Sequence, residues 1–242
     1  MYSPKIKKYQ KKFEYSYAFG AYPVLDLLKN HSDKIYTIFL KKEGIGSEGI
    51  EEVQRICKEK NIYVEINDRL IEKISIKENT YVVAVFKKYE SKLLENPNHI
   101  VLVNPSNMGN LGTIIRTMLG FNVKDLAIIK PGVDIFDPLV IRSTMGALFN
   151  IRFEYFDTIE EYMRRFPNQN LYTFMLKGSK NIKDVQFVKP FSIIQGNEST
   201  GLDDKYLNIG ESVYIPHSKD IDSLNLSVAT AISIWEASKD GV

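Results

Sequence analysis

From His99 onwards, short apolar runs alternate with longer stretches whose apolar residues recur at helical spacing. The apolar runs have the length of buried strands, and the stretches between them have the length of helices. Strands that are separated by helices form a mostly parallel α/β sheet that helices cover on both faces. The predicted strands are Ile100–Val103, Leu126–Ile129, Ile151–Tyr155, Leu171–Met175, Phe191–Ile194 and Ser212–Ile215. The predicted helices are 111–120, 138–148, 158–166, 200–207 and Leu226–Ser238.

The earlier part of the chain predicts a smaller α/β unit. Its predicted strands are Ile35–Leu40, Ile62–Ile66 and Tyr81–Phe86, and its predicted helices are 24–28, Ile50–Lys60 and Asp68–Ile74. A polar, proline-containing segment at 87–98 then separates this unit from the larger one. We therefore predict three parts: a Lys-rich tail at 1–14, a small α/β domain at 15–92, and a larger α/β domain at 97–242.

The composition excludes several classes of protein. No apolar run approaches the roughly 20 residues that a membrane-spanning helix needs, so no membrane partner is expected. The lysines near the N-terminus are not followed by the apolar stretch of a secretory signal. Cys57 is the only cysteine, which excludes an internal disulfide and a Cys-rich metal site. We expect a reducing, cytoplasmic setting and no bound metal.

The lysines of the tail have two interpretations. The net charge of the whole chain is only +2, but five lysines lie within the first twelve residues: Lys5, Lys7, Lys8, Lys11 and Lys12. We favour a solvated, mobile end. The alternative is an arm that contacts phosphates, whose binding would depend on counterion release and weaken with salt.

Three chemically unusual segments, at 104–117, 195–202 and 215–229, each follow a predicted strand. Ligands bind beyond the C-terminal ends of the strands in sheets of this kind, so the three segments are expected to form one pocket. Each segment also has a purely structural interpretation. Asn110 could cap a helix, Glu198 could be a partner in a helix cap, and Ser223 or Asn225 could cap the last helix.

Together, the three segments resemble the signature motifs of the SpoU/TrmH family of RNA 2′-O-methyltransferases, in the SPOUT class. The pattern N-x-G-x-x-x-R-T is met by Asn110, Gly112, Arg116 and Thr117. The pattern G-N-E-x-x-G-L is met by Gly196, Asn197, Glu198, Gly201 and Leu202. The pattern I-P-x(6)-S-L-N-x-S is met by Ile215, Pro216, Ser223, Leu224, Asn225 and Ser227.

The resemblance implies a methyl transfer from S-adenosylmethionine to a ribose 2′-hydroxyl of RNA. It also implies a homodimer and a C-terminal trefoil knot. The residues that it implies for catalysis are Asn110, Arg116, Glu198, Ser223 and Asn225. The residues that it implies for binding the cofactor through their main chains are Gly196, Ile215 and Leu224.

The small first domain resembles, more loosely, the RNA substrate-binding domain that often precedes this catalytic domain. The resemblance rests on Phe19-Gly20, Pro23-Val24 and the Val82-Val83-Ala84 strand. The presence of such a domain favours rRNA slightly over tRNA as the substrate.

The chain departs from the family pattern at three positions. Asn107 replaces a common Asp, His217 replaces a usual Met, and Lys219 replaces a usual Gly. The last two are expected to reshape the cofactor or RNA pocket. His217 has no evident Cys or His partner, which argues against a metal site.

An arginine side chain stays protonated in proteins, so Arg116 cannot act as a simple base, and two other roles are possible. Either Arg116 shares a proton with a bound phosphate and the substrate, or it stabilises the forming alkoxide electrostatically while the proton leaves elsewhere.

Two other functions compete with methyl transfer. A non-catalytic RNA-binding protein could retain the same fold, although Arg116, Glu198 and Asn225 are all present. A dinucleotide-dependent oxidoreductase is disfavoured because the chain lacks G-x-G-x-x-G and its downstream acidic residue.

Overall fold

The computed structural model describes residues 4–239. Its strands are β1 (Tyr15–Phe19), β2 (Ile35–Leu40), β3 (Val64–Ile66), β4 (Val82–Lys87), β5 (His99–Val103), β6 (Asp125–Ile129), β7 (Arg152–Phe156), β8 (Asn170–Phe174), β9 (Lys180–Asn181), β10 (Phe191–Gln195) and β11 (Glu211–Tyr214). Its helices are α1 (Ala21–Asn30), α2 (Glu48–Glu59), α3 (Asp68–Ile74), α4 (Met108–Gly120), α5 (Pro138–Ser143), α6 (Ile159–Arg165) and α7 (Leu226–Ser238).

The chain forms two compact units. One unit contains the residues up to Tyr89 together with Asp134–Asn150, and the other contains Glu90–Val133 and the residues from Ile151 onwards. The division differs from the predicted domain bounds, because the segment 134–150 packs with the first unit. The Phe86 ring of β4 makes edge contacts with Phe136 at 5.8 Å and with Phe149 at 5.5 Å.

The first unit is built on a four-stranded sheet in the order β1-β4-β2-β3. Strand β4 is antiparallel to both β1 and β2, while β2 and β3 are parallel. Strand β1 was not predicted, although all five of its residues are buried. One core cluster of this sheet contains Tyr15, Tyr17, Phe19, Phe39, Ile71, Ile74, Val83 and Val85.

The N-terminal segment 4–14 is ordered against this sheet, so the interpretation that we favoured, a mobile end, is wrong for the described residues. The hydroxyl of Tyr15 donates to the carbonyl oxygen of Lys5 at 2.9 Å, and the hydroxyl of Tyr17 donates to that of Lys7. Three side chains of the segment pack, partly buried, against the same core: Ile6, Tyr9 and Phe13.

The second unit is built on a seven-stranded sheet in the order β7-β6-β5-β10-β8-β11-β9, with every pair parallel. This confirms the predicted parallel α/β sheet. Val101 and Ile194 belong to a core cluster that includes Tyr162 of α6. Their strand neighbours Ile100 and Ile193 point to the opposite face and are also fully buried. Both faces of the sheet are therefore covered.

Two predicted helices differ from the structure. The helix predicted at 138–148 ends at Ser143 and is followed by a short 3-10 helix, Ala147–Asn150, after Gly146 with φ of 100°. The helix predicted at 200–207 is a 3-10 helix, Asp204–Asn208. Gly201 has φ of 66°, a left-handed conformation that interrupts a right-handed helix.

The sheet brings the three unusual segments to one edge. Strands β5 and β10 are neighbours, and β8 lies between β10 and β11. Because all these strands are parallel, the segments that follow β5, β10 and β11 leave the sheet at the same edge. Among residues 4–239, no helix has the length and apolar character that crossing a bilayer requires.

Candidate active site

The carboxylate of Glu198 connects the second segment to the first. Its Oε2 accepts hydrogen bonds from the backbone N–H of Ser106 at 3.0 Å and from the Ser106 hydroxyl at 2.7 Å. Its Oε1 accepts from the backbone N–H of Asn107 at 3.0 Å and from Nδ2 of Asn110 at 3.3 Å. The loop that follows β10 is therefore attached to the N-terminus of α4.

These contacts keep Glu198 ionised. Burial acts to raise the pKa of its carboxyl, but the hydrogen bonds from Ser106 and Asn107 outweigh burial and lower the pKa below its ordinary value. The N-terminus of α4 also favours a negative charge. A carboxylate that is easily ionised and already accepts several hydrogen bonds is a poor proton acceptor. Glu198 is therefore suited to orienting other groups.

Asn110 extends the network to the third segment. Its Nδ2 donates to Glu198, and its Oδ1 accepts from Nδ2 of Asn225 at 3.1 Å. Asn225 is the N-cap of α7, because its Oδ1 accepts from the backbone N–H of Ser227 at 2.9 Å. Three of the predicted catalytic residues thus form one continuous chain of hydrogen bonds.

The N-cap of α4 is Asn107 and not Asn110, so the structural interpretation of Asn110 is wrong. Helix α4 begins at Met108, and Oδ1 of Asn107 accepts from the backbone N–H of Asn110 at 2.9 Å. An amide oxygen is sufficient for this cap. The Asn at position 107 also avoids a second carboxylate next to Glu198.

The loop of Gly196–Leu202 closes tightly on itself. A Cβ atom on Gly196 would lie 2.2 Å from the carbonyl carbon of Gly201, closer than any real side-chain contact. The carbonyl oxygen of Asn197 accepts from the backbone N–H of Gly201 at 2.9 Å. Nδ2 of Asn197 donates to the carbonyl oxygen of Asn104 at 2.7 Å, which attaches the loop to the end of β5. Glycine is required at position 196 because two backbone strands meet there.

A cavity of about 600 Å³ opens beside this loop. Its walls include the three predicted cofactor residues and two of the predicted catalytic residues: Gly196, Ile215, Leu224, Glu198 and Ser223. Phe174–Lys177, at the end of β8 and just after it, also form part of the wall and were not predicted. The position of β8 next to β10 in a parallel sheet is the signal that would have identified them.

Arg116 and Ser223 lie outside the hydrogen-bond network. The Arg116 side chain is exposed on α4 and makes no hydrogen bond or ion pair with residues 4–239. Ser223 is also exposed, and within the same range its hydroxyl has no hydrogen-bond partner. Both groups are therefore available to a bound molecule.

Of the three departures from the family pattern, His217 reaches the cavity. Its Nδ1 lies 2.9 Å from the carbonyl oxygen of Ile215. A carbonyl oxygen can only accept, so Nδ1 carries the proton. Lys219 is exposed. Residues 4–239 contain no cluster of His, Cys, Asp or Glu that could hold a metal ion.

A comparison of the sequence with models of protein families shows which family has these motifs. A family model described as the SpoU rRNA methylase family matches residues 97–235, more than half of the chain. The chain belongs to the SpoU rRNA methylase family.

Individual relatives of the chain include both tRNA and rRNA enzymes. A Listeria innocua protein with the provisional name tRNA (cytidine(34)-2′-O)-methyltransferase is 32% identical over 147 residues, which are 58% of this chain and 86% of that protein. The 23S rRNA (guanosine-2′-O-)-methyltransferase of Acinetobacter baylyi is 23% identical over 238 residues, with 91% and 96% of the two chains covered. The AdoMet-bound rRNA methyltransferase from Sinorhizobium meliloti has a TM-score of 0.81 and 27% identity, over 95% of this chain and 88% of that one.

This chain is therefore an RNA 2′-O-methyltransferase whose cofactor is S-adenosylmethionine, as the motifs predicted. The cavity fits that cofactor, because its volume lies within the range of roughly 300–1,000 Å³ that is usual for ligand sites. Two carboxylates in its wall can complement the positive charges of the cofactor, Glu198 and Asp203, while a third, Asp204, is paired with Lys177 of the same wall at 3.2 Å.

Replacing Glu198 with Gln should reduce both stability and cofactor binding. The NH₂ group of Gln is itself a donor and would face the donors of Ser106 or Asn107, from which the carboxylate accepts. An unsatisfied buried group of this kind lowers the free energy of unfolding by about 1–3 kcal/mol. Urea denaturation and calorimetry with S-adenosylmethionine measure the two effects. Glu90→Gln, at an exposed position, is the control.

The difference in stability between wild type and Glu198→Gln should also depend on pH. The pKa of Glu198 is lower in the folded protein than its ordinary value. The ionised carboxylate therefore stabilises the fold above the unfolded pKa of about 4.3, and this contribution disappears as the pH falls through the lower, folded pKa. A difference that stays constant from neutral pH to acid would contradict the role assigned to the carboxylate.

Replacing Gly196 with Ala should abolish cofactor binding while the rest of the sheet remains folded. The added Cβ would force apart the backbone at Gly196 and Gly201, and with it the cavity wall. Gly120→Ala is the matched control, because a Cβ there meets nothing within 4 Å at the end of α4. Calorimetry with S-adenosylmethionine separates the two variants, and normal binding by Gly196→Ala would show that the loop tolerates the displacement.

Proposed function

We propose that this enzyme methylates the ribose 2′-hydroxyl of a structured RNA, with rRNA favoured over tRNA. The observation that carries the proposal is the hydrogen-bond network of Glu198, Asn110 and Asn225, of which Glu198 lies in the cavity wall and Asn110 lies on α4, the helix that also carries the exposed Arg116. Two comparisons favour rRNA. The Acinetobacter baylyi rRNA enzyme matches 91% of the chain and so covers both units, whereas the tRNA-named Listeria innocua protein matches 58%.

Main-chain groups of the cavity wall would hold the cofactor. Gly196 comes from the segment after β10, and Ile215 and Leu224 come from the segment after β11; their backbone N–H and C=O groups can recognise the edges of an adenine. S-adenosylmethionine supplies a methyl group that is activated by a positively charged sulfur. Transfer to an oxygen is an in-line displacement, and alignment of this kind can supply roughly 7–11 kcal/mol of the barrier.

The role proposed for Arg116 is to stabilise charge. Its guanidinium is exposed and has no partner among residues 4–239, so it can meet both a phosphate of the RNA and the developing alkoxide. Among residues 4–239, neither a carboxylate nor an imidazole makes an ion pair or a hydrogen bond with it that would help to remove its proton. Because arginine stays protonated in proteins, electrostatic stabilisation is the better of the two roles, and the hydroxyl proton passes to solvent.

The other predicted catalytic residues would orient the reacting groups. Glu198 fixes Asn110, and Asn110 fixes Asn225, so a displacement of one moves all three. Ser223 lies in the cavity wall with its hydroxyl available, which suits a contact to the ribose or the cofactor.

We also propose the C-terminal trefoil knot that the family resemblance implies. After β10, the chain passes beyond β8 to form β11 and then returns to α7, which packs against β10 and α4. This return path is what supports the knot. The small α/β domain at 15–92 is proposed to bind the RNA, and the cytoplasm is the proposed location.

The proposed homodimer is supported by an apolar stripe on α7. Val228, Ile232 and Trp235 recur at helical spacing on one face and are all exposed, Trp235 by 58%. Trp235 also contacts the ring of Phe121 at 6.0 Å. Tryptophan is enriched at protein interfaces, and an exposed row of large apolar residues is typical of a surface that a partner covers. A second copy of this chain is the proposed partner.

Replacing Arg116 with Ala should leave cofactor binding intact and reduce methyl transfer at least about a hundredfold, because removing one donor that stabilises the charge of the transition state costs about 2.7–4 kcal/mol. The assay follows labelled methyl groups from S-adenosylmethionine into cellular RNA, and mapping of alkali-resistant linkages locates the modified nucleotide. Arg164→Ala, at an exposed position on α6, is the control. Nearly normal turnover by Arg116→Ala would remove the residue from the mechanism. Absence of labelling by the wild type would favour the non-catalytic RNA-binding alternative.

Replacing Trp235 with Glu should convert a dimer into a monomer, because the charge would be buried at the centre of the proposed interface. Light scattering during gel filtration measures the mass. Val188→Glu is the control, since Val188 has a similar exposure of 55% but lies outside α7. A wild-type protein that is already monomeric would contradict the dimer.

A further inference from the structure

Five lysines of the N-terminal segment form a feature that the active site does not involve, and we name it the lysine ridge. Its members are Lys5, Lys7, Lys8, Lys11 and Lys12, and all five are exposed. They lie within eight consecutive residues, which can span at most about 26 Å. The only acidic residue between positions 4 and 14 is Glu14.

The backbone that carries the lysine ridge is held in place. Tyr15 and Tyr17 donate to the carbonyl oxygens of Lys5 and Lys7, and the hydroxyl of Tyr17 also accepts from the backbone N–H of Lys7 at 3.3 Å. The apolar side chains of the segment pack inwards against the first sheet: Ile6, Tyr9 and Phe13. The lysines are therefore presented from an ordered backbone, and a ligand would not have to order a flexible tail.

The charges of the lysine ridge have no ion-pair partner in the part of the chain that the structure describes. None of the five ammonium groups makes an ion pair or a hydrogen bond with residues 4–239. Asp134, whose carboxylate accepts from Tyr9 in the same segment, is already paired with Lys88 at 2.8 Å. Elsewhere in this unit, Arg55 is paired with two glutamates. The ridge is thus a concentrated positive charge that lacks a counter-charge of its own.

We propose that the lysine ridge binds the phosphate backbone of the substrate RNA. The inference rests on the proposed function, which makes RNA the polyanion that this enzyme must hold. Lysines that contact phosphates release condensed counterions, so each contact contributes about 0.7–0.9 to the slope of log K against log salt. Lysine is a point charge that recognises phosphates but no base sequence, so the ridge supplies affinity and orientation and leaves the choice of nucleotide to other contacts.

The segment fits RNA better than a membrane surface. Proteins that bind anionic membranes through a peripheral segment normally insert apolar side chains beside the basic ones. Here the apolar side chains of the segment face the sheet and contribute to its core. The outward surface of the ridge therefore offers charge alone.

The test combines Lys5→Gln, Lys7→Gln, Lys8→Gln, Lys11→Gln and Lys12→Gln in one full-length variant. Binding of a fluorescein-labelled RNA hairpin is followed by anisotropy between about 50 and 200 mM salt. We expect the variant to bind the hairpin at least about tenfold more weakly at 0.1 M salt. Each phosphate contact changes the affinity by nearly a factor of ten when the salt concentration changes from 0.1 to 1 M, so the loss of even one contact has about this effect. The magnitude of the salt slope should fall by about 2–4.

The matched control removes the same charge elsewhere in the first unit. It combines changes to Gln at five other exposed lysines: Lys29, Lys42, Lys58, Lys73 and Lys77. A second control, with Arg at all five ridge positions, retains the charge and should retain binding. Circular dichroism and calorimetry with S-adenosylmethionine show that each variant is folded and has an intact cofactor site.

Each outcome decides the proposal. An unchanged affinity and slope in the ridge variant would overturn it, as would an equal loss in the control with the five other lysines. Loss of binding to phosphatidylserine vesicles without loss of RNA binding would overturn it in favour of a membrane. Methylation by the wild type is measured in parallel. If the wild type methylates no RNA but the ridge variant still binds the hairpin more weakly than the wild type does, the proposed reaction is contradicted and the proposed role of the lysine ridge is supported.

Discussion

The candidate active site of the second unit depends on one close approach within the loop that follows β10, where the backbone at Gly196 lies against the backbone at Gly201. Only a residue without a side chain fits at position 196, and Glu198 of the same loop faces the N-terminus of α4. The carboxylate then accepts hydrogen bonds from the backbone N–H groups of Ser106 and Asn107, the two residues that immediately precede α4. Through Asn110 the same contact reaches Asn225 and the start of α7. The geometry of the site is therefore a consequence of helix capping.

The structural interpretations of Glu198 and Asn225 hold, and the same two residues also belong to the network at the predicted site. Asn225 caps α7 and also holds Asn110, and Glu198 is a cap partner for α4 as well as a wall of the cavity. A residue that already has a structural partner has a fixed side chain, and a fixed side chain is what an in-line reaction requires. Arg116, by contrast, is held by no hydrogen bond or ion pair within residues 4–239, which suits a group that a bound RNA must position.

The sequence predicted the parallel sheet because its strands are continuous apolar runs, and it predicted α7 to the residue because Asn225 is a cap followed by an apolar helix. It did not predict β1, whose alternation of Tyr and small residues follows a lysine cluster, or the two-residue β9. Ser106 also escaped notice, because its role depends on Glu198, which lies 92 positions away in the chain. Contacts of that kind have no local pattern. Family motifs predicted the site residues, but not the partners that hold them.

The assignment of Asp134–Asn150 to the first unit has a consequence for how the chain assembles. The first unit lacks Phe136 and Phe149 until the polypeptide has been made as far as residue 150, although its four strands are complete by Lys87. During synthesis, part of the aromatic core of the N-terminal sheet therefore remains exposed to water while β5, α4 and β6 of the second unit are being made. The order of the elements along the chain thus interleaves the folding of the two units, and neither can be removed by a single cut without leaving apolar surface exposed on what remains.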